Sequence, residues 1–432
     1  MASASTSASA TRRWRQLAAC IVAMMAVANL QYAWTLFTIP LTRSLNATLS
    51  GVQIAFTLFI LAETWLVPFE GWLVDHIGAR AVVSAGGLLV GISWIGAGLV
   101  DSLSGLYLFY ALGGVGAGAV YGASIGTALK WFPDRRGLAA GLTAGAYGVG
   151  TALTVLPIQW MIHSYSYRSA FLAWGVVQGL CVMVMGQLLT RPPESWRPQG
   201  WRPDTSAMHG QSLRSYHPLE MVKTRPFWVM YVMMALVAFG GLMVTAQLKP
   251  IAHTYGLDRG VLVIGMSALS LALILDRILN GFTRPFWGWV SDHLGRYDTM
   301  AIAFCAEALA IIALLNLVHR PVWFVVLTGL AFFAWGEIFS LFPAAIGDVF
   351  GPAYATTNYG LQYTAKGVAA IFAGWGAARL VELSGTWIPI FWVAVVCDLA
   401  AAGLAVLWLK PLVLRQVARV PAESTPAAAQ AA

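Results

Sequence analysis

Residues 271–296 read LALILDRILNGFTRPFWGWVSDHLGR, and two features of this stretch decide the fold. It opens as an apolar helix yet carries Asp276, Arg277 and Arg284. It closes on Gly288-Trp289-Val290-Ser291-Asp292-His293-Leu294-Gly295, and a near copy, Gly71-Trp72-Leu73-Val74-Asp75-His76-Ile77-Gly78, stands 217 residues earlier. Five of the eight positions are identical, which apolar composition alone does not produce. A repeat at this spacing indicates two related halves.

The rest of the chain fits two bundles of membrane helices. It is 59% hydrophobic and only 10% charged over 432 residues, outside the range of soluble domains. About a dozen apolar runs approach the ~20 residues that cross a bilayer. The expected spans are 17–39, 52–74, 81–101, 105–128, 137–161, 167–190, 226–249, 262–288, 299–318, 321–346, 358–381 and 387–410. The fold expected is therefore an all-α membrane protein with twelve transmembrane helices in two six-helix halves. A tail (1–16), a first half (17–190), a Pro-rich basic linker (191–225), a second half (226–410) and a second tail (411–432) follow. The first run is too long for a signal core, so it reads as a span behind a disordered tail.

Seventeen Lys and Arg fall on the side that holds both termini and five on the other, which predicts cytoplasmic termini. The net charge of +8 is thus topology and contact with anionic lipid, not a nucleic-acid footprint. Cys20, Cys181, Cys305 and Cys397 are widely spaced in apolar runs and offer neither a disulfide framework nor a metal site. The seven histidines supply no nucleophile–base pair, so no catalytic residue, metal or cofactor is expected. The glycines of spans four and five, among them Gly137, Gly141 and Gly145, read as close helix packing.

Function is expected where charge lies inside the bilayer, because a buried charge faces a cavity or a partner. Arg277, Asn280, Gly281, Arg284 and Gly288 share one face of the eighth span, and Asn358, Gln362 and Lys366 share one face of the eleventh. Arg284 can grip a carboxylate with two parallel bonds, and Lys366 adds a mobile point charge. Arg277 is expected to be neutralised by adjacent Asp276. Glu63 and Glu337 could be protonated, paired or relay a proton. Tyr32, Trp34, Tyr121, Tyr147, Trp335, Phe339 and Tyr363 supply aromatic walls, and a buried phenol can donate to a carboxylate. Asp75 and Asp292, with Arg80 and Arg296 just beyond, read as two latches that break as the halves rock.

The repeated Gly-x-x-x-Asp-x-x-Gly turn resembles the loop signature of the major facilitator superfamily. LQYAWTLF, AVYGAS, KWFPDRRGLAAGLTAGAYG, LNGFTRPFWGWVSDHLGR, FFAWGEIFSLFP and ATTNYGLQYTAKG resemble its oxalate–formate antiporter branch, over essentially every span. That resemblance implies exchange of extracellular oxalate for cytoplasmic formate across the bacterial inner membrane, by a monomer. It places the substrate carboxylates at Arg284 and Lys366, with Gln31, Tyr32, Gln53, Tyr121, Tyr147, Asn280 and Trp335 around them. Phe339 stands where the family pattern has tyrosine. Two unpaired cations in an occluded site repel, so the empty carrier is expected to resist closing. The alternative is proton-coupled uptake of a monocarboxylate through Glu63 or Glu337, which would follow a pH gradient without internal substrate. A membrane enzyme, receptor or scaffold would need neither the repeat nor the paired cations.

Overall fold

A computed structural model of the chain describes residues 2–193, 215–258, 262–351 and 354–418. Most of the linker and the end of the Ala-rich tail lie outside the described residues. Nine helical segments among them are long and apolar enough to cross a membrane. Three further helical runs complete the set: Leu49–Trp65 continued by Val67–Ile77, Ala268–Leu294, and Ala355–Ile371 continued to Ser384. These three carry Glu63, Arg284 and Lys366, all buried.

Local sequence sets the ends. The side chains of Thr48, Ser102, Ser166, Thr224 and Ser267 accept bonds from the first-turn amides of the helices that follow them. The repeated motif is also a repeat in backbone geometry. Its last glycine, Gly78 in one copy and Gly295 in the other, has φ 91°, ψ 152° and φ 88°, ψ 153° respectively. Only glycine occupies that region freely, so each copy turns the chain directly into the next helix.

Within the first half the third span (Ala79–Leu99) packs against the fourth (Leu103–Trp131) and sixth (Tyr167–Leu188). In the second half the ninth (Arg296–Leu317) packs against the tenth (Pro321–Phe350) and twelfth (Ile388–Arg415). The halves meet along the second and eleventh spans, the fifth (Leu138–Ser164) and eighth, and the first (Thr11–Ser44) and seventh (Arg225–Thr254).

Three boundaries differ from expectation. The eighth span starts at Ala268, because Leu262–Val263 and Met266–Ser267 form a small antiparallel hairpin whose turn holds Ile264 and Gly265 at positive φ. The first helix runs back to Ala2 through an Ala-rich segment of high helix propensity, so the expected disordered tail is helical. The last helix continues past 410 to Ala418.

Close packing between the halves depends on glycine. A Cβ on Gly281 would overlap the Val149 side chain, and one on Gly148 would come within 3.0 Å of the Gly281 backbone. Gly145 approaches the Gly281 carbonyl, whereas a Cβ on Gly141 would meet nothing within 4 Å, so the contact falls later on the fifth span than the Gly137–Gly141–Gly145 spacing suggests. Gly281→Val is expected to push the fifth and eighth spans apart at a cost of about 1–3 kcal/mol. A clearly lower thermal unfolding midpoint checks this; an unchanged midpoint contradicts it.

Candidate functional site

Nearly every residue of the site lies within a turn or two of a break in its helix. Gln31 and Tyr32 belong to a four-residue helical piece, Asn29–Tyr32, between the two longer parts of the first span. Glu63 precedes the interruption at Leu66, and Tyr147 precedes a 3-10 turn, Gly150–Leu153. Arg284 precedes Pro285 inside a helix, where proline leaves the Gly281 carbonyl without its helical donor. Trp335 and Phe339 flank a break at Gly336–Glu337, and Lys366 precedes a π-helical stretch, Phe372–Gly376. Irregular backbone at membrane depth is tolerated where protein buries it or a cavity lies beside it.

A buried polar cluster is drawn from both halves. Lys366 Nζ donates to Glu63 Oε2 at 2.8 Å, Gln31 Oε1 at 3.1 Å and Tyr363 OH at 3.1 Å. The Tyr147 hydroxyl donates to Glu63 Oε1 at 2.8 Å and lies 3.1 Å from Gln31 Oε1. Lys366 is therefore paired with an acid of the opposite half, which corrects the expectation of two unpaired cations. Glu63 was legible as an intramembrane acid, but its partner was not, since 303 residues separate the two.

Arg284 has a different environment. Its Nη1 donates to the Ala144 carbonyl of the fifth span at 2.5 Å, and its Nε has no hydrogen-bond partner among the described residues. Its guanidinium carbon lies 4.5 Å from the centre of the Phe339 ring, and Lys366 Nζ lies 5.8 Å from the same centre. One aromatic ring thus lies near both cations. Trp335 stands edge-on to Phe339 at 5.1 Å, and its ring sits where a side chain on Gly241 would otherwise be. Tyr121 stacks on Tyr363 at 5.8 Å and meets Tyr147 edge-on at 5.4 Å; Tyr32 meets Tyr147 at 5.5 Å. The Asn280 amide donates to the Tyr32 hydroxyl at 3.2 Å. Arg284 and Lys366 are 3% and 1% exposed, so the cluster is closed to solvent on both faces.

Gln31, Tyr32, Tyr121, Tyr147, Asn280, Arg284, Trp335, Phe339 and Lys366 are brought together. Gln53 is not. It lies ten residues before Glu63, about 15 Å along the helix, and accepts from Trp34 Nε1 while donating to the Ala246 carbonyl and Gln247 Oε1, each at 2.9 Å. Asn358 donates to the Tyr216 carbonyl at the end of the linker, and Gln362 lies against Met234 Sδ, so only Lys366 of its face reaches the cluster. Arg277 makes no direct ion pair with Asp276 among the described residues, although the two neighbouring charges act on each other. Consecutive helical residues diverge by about 100°, and the guanidinium lies between the Tyr32 and Phe332 rings at 4.1 Å from each, while neither Asp276 oxygen has a hydrogen-bond partner among the described residues.

Of the two latches, Arg296 bonds Asp292 at 3.0 Å and Asp348 of the tenth span at 3.1 Å, all within the second half. Arg80 donates to the Leu189 carbonyl at 3.2 Å within the first half. The side chain of Asp75 lies outside the described residues.

Beyond the central cluster, further polar bonds join the halves on the face away from the linker. Lys249 Nζ donates to the Leu36 carbonyl at 2.7 Å, and Ser270 donates to Gln159 at 2.5 Å. Glu382 accepts from the Ser50 amide and hydroxyl, both at 2.8 Å, which seats its carboxylate on the N-terminus of the second span. Glu382→Gln is expected to weaken this clasp by about 1 kcal/mol, roughly a fivefold change in the closed-to-open ratio. Spin labels at Arg43 and Leu383 read it as a longer distance population; an unchanged distribution contradicts it. Just beyond the clasped contacts, a cavity of about 430 Å³ on the same face is lined by Arg43, Lys249, His163, His253 and Asp258 among others.

The family comparison matches this architecture. The Major Facilitator Superfamily pattern matches residues 19–281 and 277–431. The oxalate:formate antiporter of Oxalobacter formigenes is 35% identical over 396 residues, covering 91% of this chain and 90% of that protein. An uncharacterized 38 kDa protein of Thermoproteus tenax is 30% identical, over 91% of this chain and 95% of its own length. Monocarboxylate transporter 12-B of Danio rerio is 24% identical, over 88% of this chain and 83% of its own length. The chain is thus a multi-pass membrane transporter, not an enzyme, and belongs to the oxalate–formate antiporter family of the major facilitator superfamily.

Proposed function

We propose that the protein exchanges oxalate for formate across the cytoplasmic membrane by alternating access, with both termini in the cytoplasm. The observation that carries this reading is the pair Arg284 and Lys366, buried beside the Phe339 ring between the two halves. One oxalate carboxylate lies in the Arg284 fork and the other at Lys366, with the aromatic rings excluding water. For Lys366 to take a carboxylate, Glu63 has to release it and keep its bond from Tyr147.

Charge explains why two different anions are handled. Arg284, Lys366 and Glu63 sum to one positive charge, which a formate at Arg284 neutralises while the Lys366–Glu63 pair stays intact. Oxalate brings two negative charges and reaches neutrality when Glu63 also takes up a proton. The cost of occluding net charge at low dielectric favours the neutral loaded states over the empty one. Arg43 and Lys249 of the outer cavity outnumber Asp258 there and add a positive approach for anions.

The test is labelled-oxalate uptake into vesicles preloaded with formate, with oxalate or with buffer alone. Uptake that requires internal substrate supports exchange; equal uptake into empty vesicles contradicts it. A second reading, proton-coupled uptake of a monocarboxylate, is supported by the Glu63–Lys366 pair itself, since protonating Glu63 frees the lysine for one carboxylate. In that case, uptake follows an imposed pH gradient into vesicles without internal substrate.

A further inference from the structure

A cavity of about 540 Å³ opens on the linker face, away from the junction of the halves, between the start of the seventh span and the end of the twelfth. Lys223, Arg225 and Arg415 line it, and none has an ion-pair partner among the described residues. Trp228 and Trp408 stand on its walls, 54% and 63% exposed, beside Leu407 at 70%. The Trp228 indole N–H is turned inward to the Val222 carbonyl at 2.8 Å, which fixes the ring against the loop that bears Lys223.

The backbone is irregular at the same place. Leu404–Leu409 is π-helical, a geometry that interrupts an ordinary helix and is often found at functional sites. It forms the wall that presents Leu407 and Trp408. Three cations, two indoles and exposed apolar side chains at the ends of two spans combine a phosphate-binding chemistry with an acyl-chain surface.

We propose that this cavity binds the headgroup of an anionic phospholipid, its phosphate held by Lys223, Arg225 and Arg415 and its acyl chains lying along Trp228, Leu407 and Trp408. A free phosphate shares the headgroup's charge but gains nothing from the indole and leucine surface. Basic pockets between membrane helices that meet a lipid headgroup follow the same physics. Tryptophan at the depth of the headgroups anchors the site to the interface. The cavity stands where the linker enters the second half, so an occupant would brace the start of the seventh span against the end of the twelfth.

The test uses the full-length protein in nanodiscs of phosphatidylcholine alone or of phosphatidylcholine with phosphatidylglycerol. Native mass spectrometry reads lipid retained on release, and thermal unfolding reads stabilisation. The wild-type protein is expected to retain phosphatidylglycerol and to melt higher in its presence. K223Q/R225Q/R415Q is expected to lose about a hundredfold in retention, since each basic residue at an anionic surface contributes roughly a factor of five. W408L keeps the charges and is expected to lose retention partially, a check that does not depend on the triple variant folding. Equal retention by the wild-type and triple proteins overturns the proposal. So does stabilisation by inorganic phosphate in phosphatidylcholine nanodiscs that equals that of phosphatidylglycerol, which would make the site one for free phosphate.

Discussion

Arg284→Gln is expected to reduce oxalate exchange by a factor of about thirty to several thousand. Glutamine stays polar but ends where arginine has its Nε, short of the Nη1 that bonds the Ala144 carbonyl, and it removes the fork and the charge. Truncating one partner of a buried, hydrogen-bonded charge pair costs about 2–5 kcal/mol, and each 1.4 kcal/mol is about tenfold. The loss should appear in affinity and in turnover together, because Arg284 contacts both oxalate and formate in the proposed cycle. Initial rates of exchange in vesicles, with binding measured by calorimetry, check this. Binding that stays within about twofold of wild type would remove Arg284 from the site.

Glu63→Gln should change the character of transport rather than abolish it. In the structure, Glu63 offsets Lys366, so the trio with Arg284 carries one net positive charge. The substitution raises that to two. Closing the empty carrier then costs more, and efflux into substrate-free buffer is expected to fall about tenfold or further, an effect of about 1.4 kcal/mol or more. Exchange against internal formate slows as well, since one carboxylate leaves a net charge, while oxalate–oxalate exchange continues. Under the proton-coupled reading the outcome reverses: uptake driven by a pH gradient disappears. Efflux and pH profiles from one set of vesicles separate the two.

Much of this architecture was legible because it rests on periodicity and repetition. The twelve runs, the paired motif and the faces of the eighth and eleventh spans follow from spacing alone, and the structure gives both motif glycines the same backbone angles. The hairpin at 262–267 was missed because its short apolar residues look like the start of a helix; the capping serine, Ser267, is the local signal that the helix begins later. What spacing could not supply was pairing across the halves. Glu63 with Lys366, Ala144 with Arg284 and Ser50 with Glu382 join residues more than a hundred positions apart. Adjacency in sequence gave only part of the Arg277 environment: Asp276 acts on it through charge, while the guanidinium itself packs between two rings. Gln53 shares its helix with Glu63 but is about 15 Å from it along the axis, so a residue can belong to the right span and still lie outside the site.

The central claim is that one small anion lies between Arg284 and Lys366 beside Phe339, displacing Glu63 from the lysine. A structure of the protein solved with oxalate tests it most directly. The account predicts oxalate density bridging the Arg284 fork and Lys366 Nζ, with the 2.8 Å Lys366–Glu63 contact broken. Oxalate bound elsewhere, with that ion pair intact, would contradict it.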